Sequence, residues 1–176
     1  LLSDKKKIGV SLNEKKHITK NPIKRYLLNR FYRNIVNEIK EINPRNILDV
    51  GCGEGYITKI IHENFPKAKI RGIDLSKKAI EIAQGRCPNI DFQEADIFEI
   101  PFQENTFDLV ICSEVLEHLN EPSKALIEIT RVSSNNVLLT VPHEPWFWSL
   151  NFLALNHWRT FGNVPDHINH WNLNKS

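Results

Sequence analysis

Asn46-Ile47-Leu48-Asp49-Val50-Gly51-Cys52-Gly53-Glu54-Gly55-Tyr56 is the stretch whose reading decides the fold. Ile47 to Val50 suit a buried strand, and three glycines follow at alternate positions. Ile57, Ile60, Ile61 and Phe65 then recur near a helical period. Strand, glycine turn and helix, in that order, let a ligand approach backbone at a strand's carboxyl end in an α/β sheet. Two common nucleotide sites are excluded by spacing. A dinucleotide turn wants G-x-G-x-x-G, and Tyr56 stands where its third glycine would be. A Walker phosphate loop wants Gly-Lys-Ser/Thr, which does not follow. Asp49, a carboxylate just before the turn, suits a ligand carrying positive charge better than a pyrophosphate.

Three later stretches continue the pattern. Lys69 to Asp74 reads as a second strand ended by an acid, with Asp74 23 residues after Gly51. An acid near that offset, at the tip of the adjacent strand, can accept hydrogen bonds from both hydroxyls of a ribose. Ile90 to Ile97 alternates and ends in Ala95-Asp96-Ile97, and Phe107 to Leu119 reads as a fourth strand with the turn after it. Each acid has a plainer reading: Asp74 as a helix N-terminal or turn residue, Asp96 as the opening of a loop.

The four stretches, in order over residues 45–141, together resemble the class I S-adenosylmethionine-dependent methyltransferases of the type 11 kind. The first matches hydrophobic-L-D-hydrophobic-G-x-G-x-G, and Gly72-Ile73-Asp74-Leu75-Ser76 matches the family's ribose motif. The resemblance implies S-adenosyl-L-methionine as methyl donor and S-adenosyl-L-homocysteine as product. It implies cofactor contacts from Asp49, Gly51, Cys52, Gly53, Gly55 and Tyr56, and from Asp74, Leu75 and Ser76 at the ribose. Ala95, Asp96 and Ile97 would then hold the adenine, and Ser113, Glu114 and Val115 the turn after the fourth strand.

The rest of the chain completes the topology. Asn21-Pro22 opens a helix with apolar residues from Ile23 to Ile42 at helical spacing. Ser76 caps a helix containing Ala79 and Ile80; Asn120 can cap another with Pro122 in its first turn. Asn136 to Val141 is a buried-looking strand ended by Pro142. Five strands alternating with helices predict a doubly wound, Rossmann-like parallel sheet with an N-terminal helical cap. Nothing after Pro142 reads as the family's last two strands, so the final β-hairpin is expected to be missing. The expected organisation is a flexible basic segment (1–20), a cofactor-binding core with its cap (21–142), and a substrate-side segment of the same domain (143–176).

At 176 residues, 41% hydrophobic and 25% charged, the chain is ordinary for one soluble globular domain. No signal peptide or spanning segment is visible. Cys52, Cys87 and Cys112 form no C-x-x-C pair, which favours small buried thiols and a cytoplasmic setting. The chain has no Met and begins at Leu1, and so reads as a trimmed fragment. Charge is uneven: residues 1–45 carry 12 Lys/Arg against 4 Asp/Glu, the remainder 11 against 17. A solvated face is the ordinary role for such cations; attraction of an anionic substrate, a phospholipid surface or nucleic acid is the functional alternative.

Specificity is expected in the last segment. Trp146, Phe147, Trp148, Phe152, Trp158, Phe161 and Trp171 are seven of the chain's 16 aromatics. They read as rings packing onto the sheet, as a lid over an apolar acceptor, or both. A general base is needed only if the nucleophile arrives protonated. Candidates are His143, which directly follows the fifth strand, then His118, Glu117, His167 and His170. Glu114, Glu117 and His118 would share one face of a helical turn and could bind a divalent metal. Glu-x-x-Glu-His with the later His167-Ile168-Asn169-His170-Trp171 is similar to the metal-dependent RNA 2′-O-methyltransferases. The same motif also resembles metal-free small-molecule enzymes, so no metal is assigned. The expected acceptor is a small molecule, lipid or saccharide rather than nucleic acid, with oligomeric state open. A non-catalytic methyltransferase-like binding module is the remaining alternative.

Overall fold

A computed structural model describes residues 21–141. The expectations for segments 1–20 and 143–176, including the aromatic cluster, His143, His167 and His170, lie outside those residues. The described chain runs α1 (Pro22–Ile42), β1 (Asn46–Val50), α2 (Tyr56–Asn64), β2 (Lys69–Asp74), α3 (Lys77–Arg86), β3 (Asp91–Glu94), β4 (Phe107–Ser113), α4 (Pro122–Val132) and β5 (Ser133–Thr140). A single 3₁₀ turn, Leu116–His118, lies between β4 and α4. The strands form one sheet in the order β3-β2-β1-β4-β5, and every pairing is parallel. This is the doubly wound sheet that the alternation of strands and helices predicts. The strand order reverses direction between β1 and β4, so ligands are expected at the carboxyl ends there.

Two apolar layers sandwich the sheet. Ile47 of β1 and Leu109 and Ile111 of β4 face one side, with Ile35 and Ile39 of α1, Ile61 of α2 and Ala83 of α3. Leu48 and Val50, with Val110 and Cys112, face the other, against Ala125, Ile129 and Val132 of α4. Alternation along a strand therefore serves two cores, which is why β1 is almost continuously apolar. Asp49 shares the α2-side direction of Ile47, a placement that matters for its chemistry. Asp108 registers the start of β1 against β4: its Oδ2 accepts from the N–H groups of Arg45 (2.8 Å) and Asn46 (3.0 Å).

The caps follow local chemistry with one exception. The Asn21 side chain accepts from the N–H groups of Ile23 and Lys24, and the Ser76 hydroxyl from that of Ala79. The expected Asn120 cap is not formed. Glu121 flanks α4 without a side-chain capping bond, because Pro122 begins the helix directly after it. β5 starts at Ser133, three residues earlier than its apolar run suggests. Phe107 pairs with Ser133 across a bulge, and the Ser134 hydroxyl bonds the Phe107 carbonyl.

Candidate functional site

The carboxyl ends of β1, β2, β3 and β4 enclose a cleft of about 360 Å³. Its floor is the glycine turn. Gly51, Gly53 and Gly55 all have positive φ (71°, 54° and 75°). Gly51 combines that conformation with close approach, since a Cβ there would collide with Val115. The turn is pinned to β2: the N–H groups of Gly51 and Cys52 both donate to the Ile73 carbonyl, at 2.8 and 2.9 Å.

Asp74 closes this pinning and forms a wall of the cleft. Its Oδ2 accepts from Gly53 N–H (2.9 Å) and its Oδ1 from Ser76 N–H (2.8 Å). A carboxylate has about four acceptor positions, so backbone donors orient the group and leave lone pairs for a ligand. Gly72, two residues earlier, is required by packing: a Cβ there would lie 2.5 Å from Phe92 Cδ1. Opposite, Ala95, Asp96, Ile97 and Phe98 line the cleft. Asp96 Oδ1 accepts from Phe98 N–H at 2.9 Å, turning the chain so that Phe98 stays 40% exposed at the rim. An Arg131–Glu128 bracket holds this loop from below. Arg131 Nη1 and Nη2 donate to the carbonyls of Phe102 (2.7 Å) and Ile100 (2.8 Å), and Glu128 Oε2 accepts from Ile100 N–H (2.9 Å).

Asp49 is placed differently from an open ligand contact. It is 2% exposed, beneath the glycine turn, and accepts from the Thr58 hydroxyl of α2 at 2.5 Å. Burial pushes its carboxyl up to about 6, against the lowering effect of the Thr58 bond, and nearby Asp74 adds to the rise. Burial also pushes the Cys112 thiol up to about 12 and raises that of Cys52, so both are inert thiols.

The turn after β4 forms the other wall. Glu114, Val115, His118 and Leu119 line the cleft. Glu114 has φ 58°, a left-handed conformation costly for a non-glycine residue. Its N–H donates to the Thr140 carbonyl at 2.9 Å. This backbone reversal corrects the expectation of one helical face carrying Glu114, Glu117 and His118. Glu114 precedes the helical phase, the turn itself is 3₁₀, Glu117 is 1% exposed, and His118 alone of the latter two faces the cleft. Glu117 Oε1 and His118 Nε2 are 4.0 Å apart. Among the described residues no group of three or more His, Cys, Asp or Glu is arranged to hold a metal ion.

A smaller hollow of about 90 Å³ lies on the α1 side of the glycine turn. Leu28 and Phe31 of α1 face Cys52, Glu54, Tyr56, Ser113 and Glu114 across it. Glu54 is 8% exposed, and its Oε2 has no hydrogen-bond partner among the described residues. A buried carboxylate oxygen left so is costly unless a ligand completes it. Sequence reasoning missed Glu54, because the G-x-G-x-G pattern leaves the residue between those two glycines unspecified. It also missed Thr58, Phe98 and the Arg131–Glu128 bracket. Of the expected contacts, Gly51, Gly53, Asp74, Leu75, Ala95, Asp96, Ile97, Glu114 and Val115 meet at the cleft, and Cys52, Tyr56 and Ser113 at the hollow. Asp49, Gly55 and Ser76 stand behind them as supports.

The family model described as "Methyltransferase domain" matches residues 48–141, more than half of the chain. The chain belongs to the methyltransferase domain family. Among curated relatives, malonyl-[acyl-carrier protein] O-methyltransferase of Halalkalibacterium halodurans is 32% identical over 102 residues, 54% of this chain and 38% of the relative. The ubiquinone/menaquinone biosynthesis C-methyltransferase UbiE of Desulfotalea psychrophila is 31% identical over 105 residues, 58% of this chain and 43% of the relative. The chain thus spans less than half the length of either relative. The plantazolicin methyltransferase BpumL, whose structure is a complex with S-adenosylhomocysteine, shares the fold: TM-score 0.69 at 17% identity, over 88% of this chain and 67% of that one. The cleft of this methyltransferase domain has a floor of left-handed glycines and a backbone-held carboxylate, Asp74, at its edge.

Proposed function

We propose that this chain is the S-adenosylmethionine-binding part of an enzyme that methylates a small-molecule, lipid or saccharide acceptor. The observation that carries the reading is Asp74, whose two oxygens are fixed by backbone N–H groups at the edge of a cleft floored by left-handed glycines. Asp74 takes the ribose hydroxyls, and Ala95 to Phe98 frame the adenine. Glu54, with Glu114 across the small hollow, takes the ammonium of the methionine portion. Asp49 acts from below, through Thr58 and the turn it supports.

The bound cofactor supplies an electrophilic methyl group on a positively charged sulfur. The protein's part is to orient and to exclude water. Holding the reacting atoms in line is worth about 7–11 kcal/mol in effective-molarity terms. The walls built by Val115, Leu119 and Phe98 keep the reaction out of bulk water. For an acceptor that arrives as a hydroxyl, His118 is the proposed proton acceptor, with Glu117 as its positioning neighbour. His143 keeps the same candidacy, from outside the described residues. The named relatives support the acceptor class, one being named for O-methylation of malonyl-acyl carrier protein and the other for C-methylation in ubiquinone/menaquinone biosynthesis.

Calorimetry of the whole chain with S-adenosylhomocysteine tests the cofactor reading. Saturable binding that Asp74→Ala abolishes in a folded protein is expected; no binding by the folded wild-type chain refutes it. Transfer of labelled methyl into metabolite or lipid pools tests the acceptor class, and label found in RNA alone would overturn it.

A further inference from the structure

The outward face of α1 has no role in the cofactor site. Ile23 and Tyr26 are 64% and 60% exposed, two of the six large hydrophobic residues most open to solvent among the described residues. Spacings of three and four residues put Arg30 and Arg33 on their face, and both are exposed. The buried residues Ile35, Val36 and Ile39 lie on the opposite side of the helix. No acid occurs from Asn21 to Asn37. Neither arginine forms an ion pair among the described residues.

A helix with cations and exposed apolar residues on one face fits a surface that is both anionic and penetrable. We propose that this face of α1 docks the protein onto an anionic lipid bilayer, with Ile23 and Tyr26 entering the headgroup region and Arg30 and Arg33 meeting lipid phosphates. An aqueous polyanion would reward the cations alone and leave the two apolar side chains unexplained. The inner side of the same helix supplies Leu28 and Phe31 to the hollow beside the glycine turn, so docking and the hollow use opposite sides of one helix. This inference does not depend on the proposed reaction.

Co-sedimentation of the whole chain with vesicles tests it, using phosphatidylcholine alone and phosphatidylcholine mixed with phosphatidylglycerol. Binding to the mixed vesicles only, released by salt, is expected. Arg30→Ser with Arg33→Ser should lower partitioning about 30-fold, at roughly one kcal/mol per cation. Ile23→Ser with Tyr26→Ser should lower it about tenfold or more. All four positions are exposed, so thermal melts should be unchanged. Equal partitioning of both variant pairs and wild type would overturn the proposal, as would failure to bind mixed vesicles. So would a duplex oligonucleotide that binds in place of vesicles and loses affinity in the Arg pair but not in the Ile23/Tyr26 pair.

Discussion

Gly51→Ala should damage this protein through two separable causes. Left-handed backbone at φ 71° costs a residue with a Cβ about 1–2 kcal/mol. The new methyl would also overlap Val115, with Cγ1 at 3.3 Å and Cγ2 closer still; overpacking of that kind costs about 1–3 kcal/mol. A total of about 2–5 kcal/mol leaves a domain of ordinary stability folded but weakened. Val115→Ala removes both offending methyls and leaves the backbone untouched. The double mutant should therefore recover the overpacking part, giving a favourable coupling of about 1–3 kcal/mol in a double-mutant cycle. Urea denaturation of the four proteins, compared at a common slope, reads this directly. Affinity for S-adenosylhomocysteine should fall in Gly51→Ala and stay low in the double mutant, because the added methyl still rises from the cleft floor. Coupling under about 0.5 kcal/mol would refute the geometry, since independent sites add within that margin.

Asp74→Asn leaves one of the Gly53 and Ser76 N–H groups facing an amide donor, whichever way the side chain flips. Calorimetry should show a loss of about tenfold to a hundredfold in S-adenosylhomocysteine affinity, as expected for one charged hydrogen bond. Asp49 has a folded-state pKa of about 6 against 3.8 for the free group. Its contribution to stability is therefore fully present below about pH 4 and lost as pH rises through about 6, on the order of 3 kcal/mol. Asp49→Asn should flatten the stability profile in that window, and an unchanged slope in pH-dependent denaturation would contradict it. Arg131→Met cuts the bonds to Ile100, Phe102 and Glu128. It should cost about 2–3 kcal/mol in denaturation and weaken cofactor binding through the Asp96–Phe98 loop, with Arg131→Lys failing to restore either.

The parts of the site legible in the sequence are those where strand length and turn geometry fix residue spacing. Gly51, Gly53 and Asp74 are readable because β1 and β2 are parallel neighbours in register, with Asp49 opposite Gly72 and Val50 opposite Ile73. Once that register is set, an acid at the carboxyl end of β2 must meet the turn just past the end of β1. The early start of β5 is not readable, because Ser133, Ser134 and Asn136 lack strand propensity and are held there by Phe107 and by side-chain bonds to backbone. Glu117 misleads for a related reason. Helical spacing from Glu114 presumes a continuous helix, and the left-handed backbone at Glu114 resets the phase.

This contrast explains why the methyl donor can be named more closely than the acceptor. The proposed donor contacts lie at four strand ends of one sheet, where backbone N–H groups aim Asp74 and a positive-φ turn leaves no room for a Cβ at Gly51. Such contacts tolerate little variation, so they leave a fixed pattern in sequence. The proposed acceptor contacts fall to side chains on the turn after β4, such as His118 and Leu119, whose positions no strand register dictates. Glu54 sits at the border between the two. It is in the glycine turn yet at a position whose residue type the turn does not dictate, and its buried carboxylate identifies it only through structure. Glu54→Gln keeps shape and removes charge. If its partner is the cofactor's ammonium, affinity for S-adenosylhomocysteine should fall about tenfold or more, while an analogue lacking the amino group should bind wild type and variant alike. Equal losses for both ligands would show that Glu54 supports the turn instead.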